Sequence, residues 1–112
     1  MKNIFEGEVV HGQKEGRKLG FPTANVEFIG EMEEGVYSGW AVVSGKRYKA
    51  GIMYRNGTTI LEAHILDFSE DIYGKTIELE VGEKIREIIR FETENELIEQ
   101  VKKDVELIRA GV

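Results

Sequence analysis

The chain has 112 residues, enough for one compact domain with a thin core, and a single domain over residues 1–112 is expected. It contains no cysteine, which excludes disulfides and thiolate metal sites, and no apolar run approaches membrane-spanning length. A net charge of -6 argues against a non-specific binder of nucleic acid or of an anionic membrane.

The amino terminus lacks a signal-peptide pattern, so a cytoplasmic location is expected. One proline against thirteen glycines reads as strands joined by glycine turns. Residues 4–11 are rich in β-formers and are closed by Gly12. Residues 23–28 follow Pro22 and end before Gly30. Residues 36–43 and 46–54 flank Ser44-Gly45, a two-residue hairpin signal. On the second of these strands Tyr48, Ala50, Ile52 and Tyr54 share one face. Residues 59–68 form the next predicted strand. Over residues 76–81, Ile77, Leu79 and Val81 alternate with Thr76, Glu78 and Glu80. Residues 84–91 are predicted as a further, shorter strand.

The period then changes. Leu97, Val101, Val105 and Ile108 fall on one helical stripe. Thr93 and Glu96 make a capping box at its start, and Gly111 is a plausible stop. Six or seven strands followed by one amphipathic helix fit a small antiparallel barrel, because closure removes exposed edges.

Chemistry concentrates early. His11, Lys14, Arg17 and Lys18 gather in one glycine-rich segment, while the second half of the chain carries most of the acidic residues. A local basic patch on an acidic chain suits a small anionic ligand better than a polyanion. The stretch Gly16-Arg17-Lys18-Leu19-Gly20-Phe21-Pro22-Thr23-Ala24-Asn25 has neither a Walker A lysine nor a Gly-x-Gly-x-x-Gly pattern. It still carries phosphate-binding ingredients. Gly12, Gly16 and Gly20 let backbone amides approach an anion, and Pro22 fixes the entry to the next strand. Thr23 and Asn25 lie two apart on a strand, about 6.6 Å along it and on one face. A hydroxyl and an amide oxygen side by side suit Mg²⁺, which takes few ligands from protein. The competing reading is a surface turn followed by polar edge residues.

Further on, Leu61, Ala63 and Ile65 alternate with Glu62 and His64. Glu62 near a bound hydroxyl is a candidate general base; the bland alternative is a solvated strand face. His64 reads as structural. Tyr73, in the polar turn after Phe68, either borders a flat ligand or packs over the barrel end. Arg86 and Arg90 either reach a bound phosphate or carbonyl or belong to the surface.

In this order the pieces resemble the riboflavin kinase family, from about Phe5 to Ala110. The segments that carry the likeness are residues 16–25, Leu61-Glu62-Ala63-His64-Ile65-Leu66-Asp67-Phe68, Asp71-Ile72-Tyr73-Gly74-Lys75, residues 86–91, and Lys103-Asp104-Val105 in the helix. The resemblance implies a six-stranded antiparallel Greek-key β-barrel with a carboxy-terminal helix. It implies ATP and riboflavin as substrates, Mg²⁺ as cofactor, and FMN and ADP as products. It implies no nucleic-acid or membrane partner and a monomer.

By the same resemblance, the loop with Gly12, Gly16, Arg17, Lys18, Gly20, Phe21 and Pro22 covers the nucleotide phosphates. Thr23 and Asn25 hold Mg²⁺ and phosphate oxygen. Glu62 accepts the proton of the riboflavin 5′-hydroxyl, Tyr73 lies in the loop bordering adenine, and Arg86 belongs to a mobile flap over the flavin. The likeness departs at two places. Met53 stands where the family carries a glycine, and Ile88 stands where it carries a glutamate. The alternative implied by the first departure is a non-catalytic flavin or nucleotide sensor on the same barrel.

Overall fold

Alternation along each strand, with one side chain in and the next out, is what this sequence converts into a closed wall. The structure, a computed structural model, describes residues 3–11 and 23–111. The elements are β1 (Asn3–Val10), β2 (Ala24–Glu27), β3 (Gly35–Val43), β4 (Lys46–Tyr54), β5 (Ile60–Ile65), β6 (Thr76–Arg86) and the helix α1 (Glu94–Gly111). The strands close in the order β1-β2-β5-β4-β3-β6, and every neighbouring pair is antiparallel. β3, β4 and β5 follow one another as a meander, and β6 returns to lie beside β3. That is the Greek-key arrangement, and the six-stranded barrel with a terminal helix agrees with the expectation.

The core is filled by the inward half of each strand. Val26, Ala41, Ala50, Ile52, Leu61, Ala63 and Leu79 are fully buried. The face predicted on β4 is the buried one: Ala50, Ile52 and Tyr54 point inward and Tyr48 packs against them. Phe28 closes one end, meeting Phe5 and Tyr54 edge-on at 4.8 and 5.5 Å between ring centroids. The Ser44-Gly45 hairpin forms as read, with both residues at positive φ, 50° and 82°.

Apart from one-residue shifts at the ends of β1, β2 and β3, two boundaries differ from the sequence reading, each for a local reason. β5 ends at Ile65 because Asp67 turns the chain at φ 57°. A separate strand over residues 84–91 does not form. β6 instead runs through to Arg86, and residues 87–91 have no regular structure. The register of β6 against β3 shifts near Tyr37, and a Cβ on Gly82 would stand 2.8 Å from the Ser38 carbonyl oxygen. That irregularity breaks the inside-outside alternation, so one long strand reads as two.

Helix α1 lies on the outside of β4 and β3. The Cβ that Gly51 lacks would meet the Ile108 side chain at 2.9 Å, so the glycine makes the seat for the helix. Thr93 Oγ1 accepts the Glu96 N–H at 3.1 Å, as a helix-capping threonine should. The Glu96 carboxylate accepts the Glu92 N–H rather than that of Thr93, one residue earlier than the usual box. At the other end Lys49 Nζ donates to the Arg109 carbonyl at 2.8 Å, and Arg109 pairs with Asp67. Among the described residues no helix is long and apolar enough to cross a membrane.

Candidate functional site

Strand pairing assembles the site before any side-chain detail is considered. β1 sets Val10 opposite Asn25, and β5 sets Glu62 opposite Asn25 on its other side. Directly opposed residues of antiparallel strands share a face. The neighbouring pairs, Ala24 with Ala63 and Val26 with Leu61, face the core, so Asn25 and Glu62 lie together on the outer wall. The row continues. Glu62 is opposite Met53 of β4, Met53 opposite Val36 of β3, and Val36 opposite Arg86 of β6. Neighbouring strands lie about 4.8 Å apart, so the row from Asn25 to Arg86 spans roughly 19 Å. Its middle is apolar. Val36 is only 6% exposed although it points away from the barrel interior.

At the Asn25 end the row runs into a cavity of about 660 Å³ at the mouth of the barrel. Val10, His11, Thr23, Asn25, Phe68 and Tyr73 are among the residues that line it. Thr23 and Asn25, singled out from the sequence as an oxygen-donor pair, therefore border one cavity. Glu62 does not line this cavity but stands one strand further along from Asn25. Tyr73 is half-exposed at the rim. The residues Gly12, Gly16, Arg17, Lys18, Gly20, Phe21 and Pro22, together with Lys14, lie outside the described residues.

At the far end Arg86 is engaged by the helix. Its Nε donates to Asp104 Oδ1 at 2.9 Å, its Nη2 to Oδ2 at 2.8 Å, and its Nη1 to the Glu87 carbonyl at 2.9 Å. Gln100 Nε2 donates to Asp104 Oδ1 at 3.0 Å. Arg86 is the last residue of β6, so this cluster ties the strand to α1 where the irregular segment 87–91 begins. Arg90 borders an open groove between that segment and Asn95, Glu99 and Lys103 of the helix.

His64 shares the outer face with Glu62, opposite Gly51 and near the carboxy-terminal half of α1. Its pKa is lowered from 6.5, first by burial and then by the charge of Arg109, with Asp104 opposing. It is neutral at pH 7, which fits a packing role. A histidine held neutral by the fold binds its proton more readily once unfolded. Its contribution to stability is therefore complete above about pH 6.5 and is lost as pH falls towards the lower native value. Between pH 7 and 5 the thermal midpoint of the chain is expected to drop more steeply than that of His64→Gln. Scanning calorimetry of both proteins checks this, and parallel slopes would remove the role.

The sequence reading names Met53, Asp104 and His11 but misses what each meets: Val36, Arg86 and Tyr73. Only Asp104 had a usable signal. A carboxylate placed among Val101, Val105 and Ile108 on a docking face needs a buried partner.

The comparisons with known proteins converge on this barrel. Residues 2–112 match the family model described as Flavokinase, riboflavin kinase. The chain is 37% identical to a bifunctional riboflavin kinase/FMN adenylyltransferase of Haemophilus influenzae over 93% of its own length. It spans 37% of that relative's length. A riboflavin kinase from Trypanosoma brucei superimposes with a TM-score of 0.72 at 26% identity, over 97% of this chain and 79% of that one. A Streptococcus pneumoniae structure described as a macrolide-efflux protein gives 0.88 at 31% identity, over 97% of this chain and 39% of that one. The motifs, the barrel and the family match agree, and the chain belongs to the riboflavin kinase family.

Proposed function

We propose that the chain transfers the γ-phosphate of ATP to the 5′-hydroxyl of the ribityl chain of riboflavin, giving FMN and ADP. The observation that carries this reading is the pairing of Asn25 with Glu62 on one outer row, with Thr23 and the mouth cavity on one side and an apolar floor on the other. The row follows the order of the reaction. The triphosphate occupies the cavity, its γ-phosphate lies against Asn25, the acceptor hydroxyl lies at Glu62, and the flavin extends over Met53, which Val36 backs from the next strand.

The chemistry needs positioning and charge neutralisation more than covalent help. Glu62 takes the proton of the 5′-hydroxyl as the oxygen bonds to the γ-phosphorus, and the bond from that phosphorus to the β–γ bridging oxygen breaks, leaving ADP. Thr23 Oγ1 and Asn25 Oδ1 are hard, neutral oxygen donors and fit Mg²⁺, which takes one or two protein ligands and phosphates for the rest. When bound there it neutralises phosphate charge. The floor excludes water from the side of Glu62 that faces the flavin. Arg86 serves this reading as the tie that holds β6 to the helix, and its donors are already directed at Asp104 and Glu87. A cytoplasmic location and a monomer accompany the reading, since both substrates are small solutes and one chain supplies every group named.

Purified chain with riboflavin and Mg-ATP is expected to form FMN, read by chromatography. Binding of both substrates with no FMN formed would sink the proposal.

A further inference from the structure

We infer that His11 is a positioning residue for the base of the phosphate donor: it backs the ring of Tyr73, whose open face receives the base. The inference rests on the phosphotransfer reading above and adds a residue to it. His11 is the first residue beyond β1, and Tyr73 lies in the turn before β6. Backbone bonds stitch those two places together. The Gly74 N–H donates to the Val9 carbonyl at 2.9 Å, and the Val9 N–H donates to the Lys75 carbonyl at 2.8 Å. Within the turn, the Lys75 N–H donates to the Ile72 carbonyl at 3.0 Å and the Tyr73 N–H to Asp71 Oδ1 at 3.0 Å. Gly74 completes the turn at φ 84°, a conformation other residues rarely adopt.

The two rings stack at 3.7 Å between centroids, 17° from parallel. A third ring between them would need about 7 Å, so a ligand meets the pair from outside. Core packing does not explain Tyr73. Its neighbour Ile72 fills the barrel end and is 6% exposed, whereas Tyr73 keeps 50% of its surface open and His11 is exposed as well. Two exposed rings held face to face bury little area for themselves, but they present a stiff aromatic surface. That surface stands on the rim of the cavity whose wall carries Thr23 and Asn25. A flat base on Tyr73 leaves its phosphates directed towards those two side chains.

Calorimetric titration of the intact chain with Mg-ADP and with Mg-pyrophosphate separates base recognition from phosphate recognition. His11→Ala is expected to weaken ADP roughly 3- to 10-fold, the loss of one aromatic contact, and to leave pyrophosphate unchanged. His11→Phe keeps a ring behind Tyr73 and is expected to restore ADP affinity. In turnover, KM for ATP rises by the same factor in His11→Ala while kcat and KM for riboflavin hold. Equal ADP affinity in the parent and His11→Ala, or a parallel loss of pyrophosphate binding, overturns the assignment. If FMN forms and the His11→Ala protein matches its parent, this inference fails alone. If no FMN forms but ADP shows the expected pattern, the phosphotransfer reading fails and the platform stands. A parent chain that binds no ADP overturns both.

Discussion

Replacement of Glu62 by glutamine is expected to lower kcat for FMN formation about 10²- to 10⁴-fold, with KM for riboflavin and ATP changed little. Glutamine keeps the size of the side chain and its capacity to accept a hydrogen bond through oxygen, but it does not take a proton at neutral pH. The effect therefore falls on the chemical step and spares binding. The placement of Glu62 makes the substitution clean. Its strand is held on one side by Asn25 and on the other by Met53, and its neighbours Leu61 and Ala63 are buried without exposure. The carboxylate can change chemistry while the backbone stays fixed. Steady-state rates at saturating Mg-ATP and riboflavin provide the measurement. Turnover of Glu62→Gln within a few-fold of the parent would remove Glu62 as the base and leave the row as a binding surface.

The sequence shows which way Glu62 points but not what it meets, and the reason is physical. Alternation of Leu61, Ala63 and Ile65 with Glu62 and His64 is a property of one strand, so it is legible along the chain. That Asn25 and Met53 lie on either side of Glu62 depends on the order in which six strands close, and that order is set by the whole barrel. The row Asn25–Glu62–Met53–Val36–Arg86 joins residues from five strands, and no local pattern encodes it. Thr23 and Asn25 are legible because they lie two apart in the chain, Asn25 on β2 and Thr23 immediately before it. The full length of β6 is not legible along the chain because Gly82, Glu83 and Lys84 interrupt its apolar alternation at the bulge. His11 and Tyr73 are 62 positions apart and meet only through backbone bonds between β1 and a turn.

Breaking the contact between Arg86 and Asp104 is expected to have the largest effect on stability. The pair is bidentate, and its side chains are 17% and 9% exposed. Asp104→Ala leaves a guanidinium at the strand–helix junction without its counter-charge, and Gln100, which donates to Asp104 through Nε2, carries no charge to replace it. Removing one partner of a buried pair costs about 3–5 kcal/mol, and the lower end applies because Arg86 retains some access to water. A loss of about 3 kcal/mol in urea unfolding is therefore expected. The double variant Arg86→Met/Asp104→Leu removes both charges and fills the space with apolar groups, so it is expected to recover most of that loss. The same pair of proteins separates two roles for Arg86. If the arginine only fastens β6 to α1, the double variant regains KM for riboflavin along with stability. If the arginine also touches the flavin, stability returns and KM for riboflavin stays raised. A double-mutant cycle without coupling between the two positions would show that the contact holds nothing together. The segment 87–91 would then have no anchor at its start, and the floor at Val36 no fixed edge.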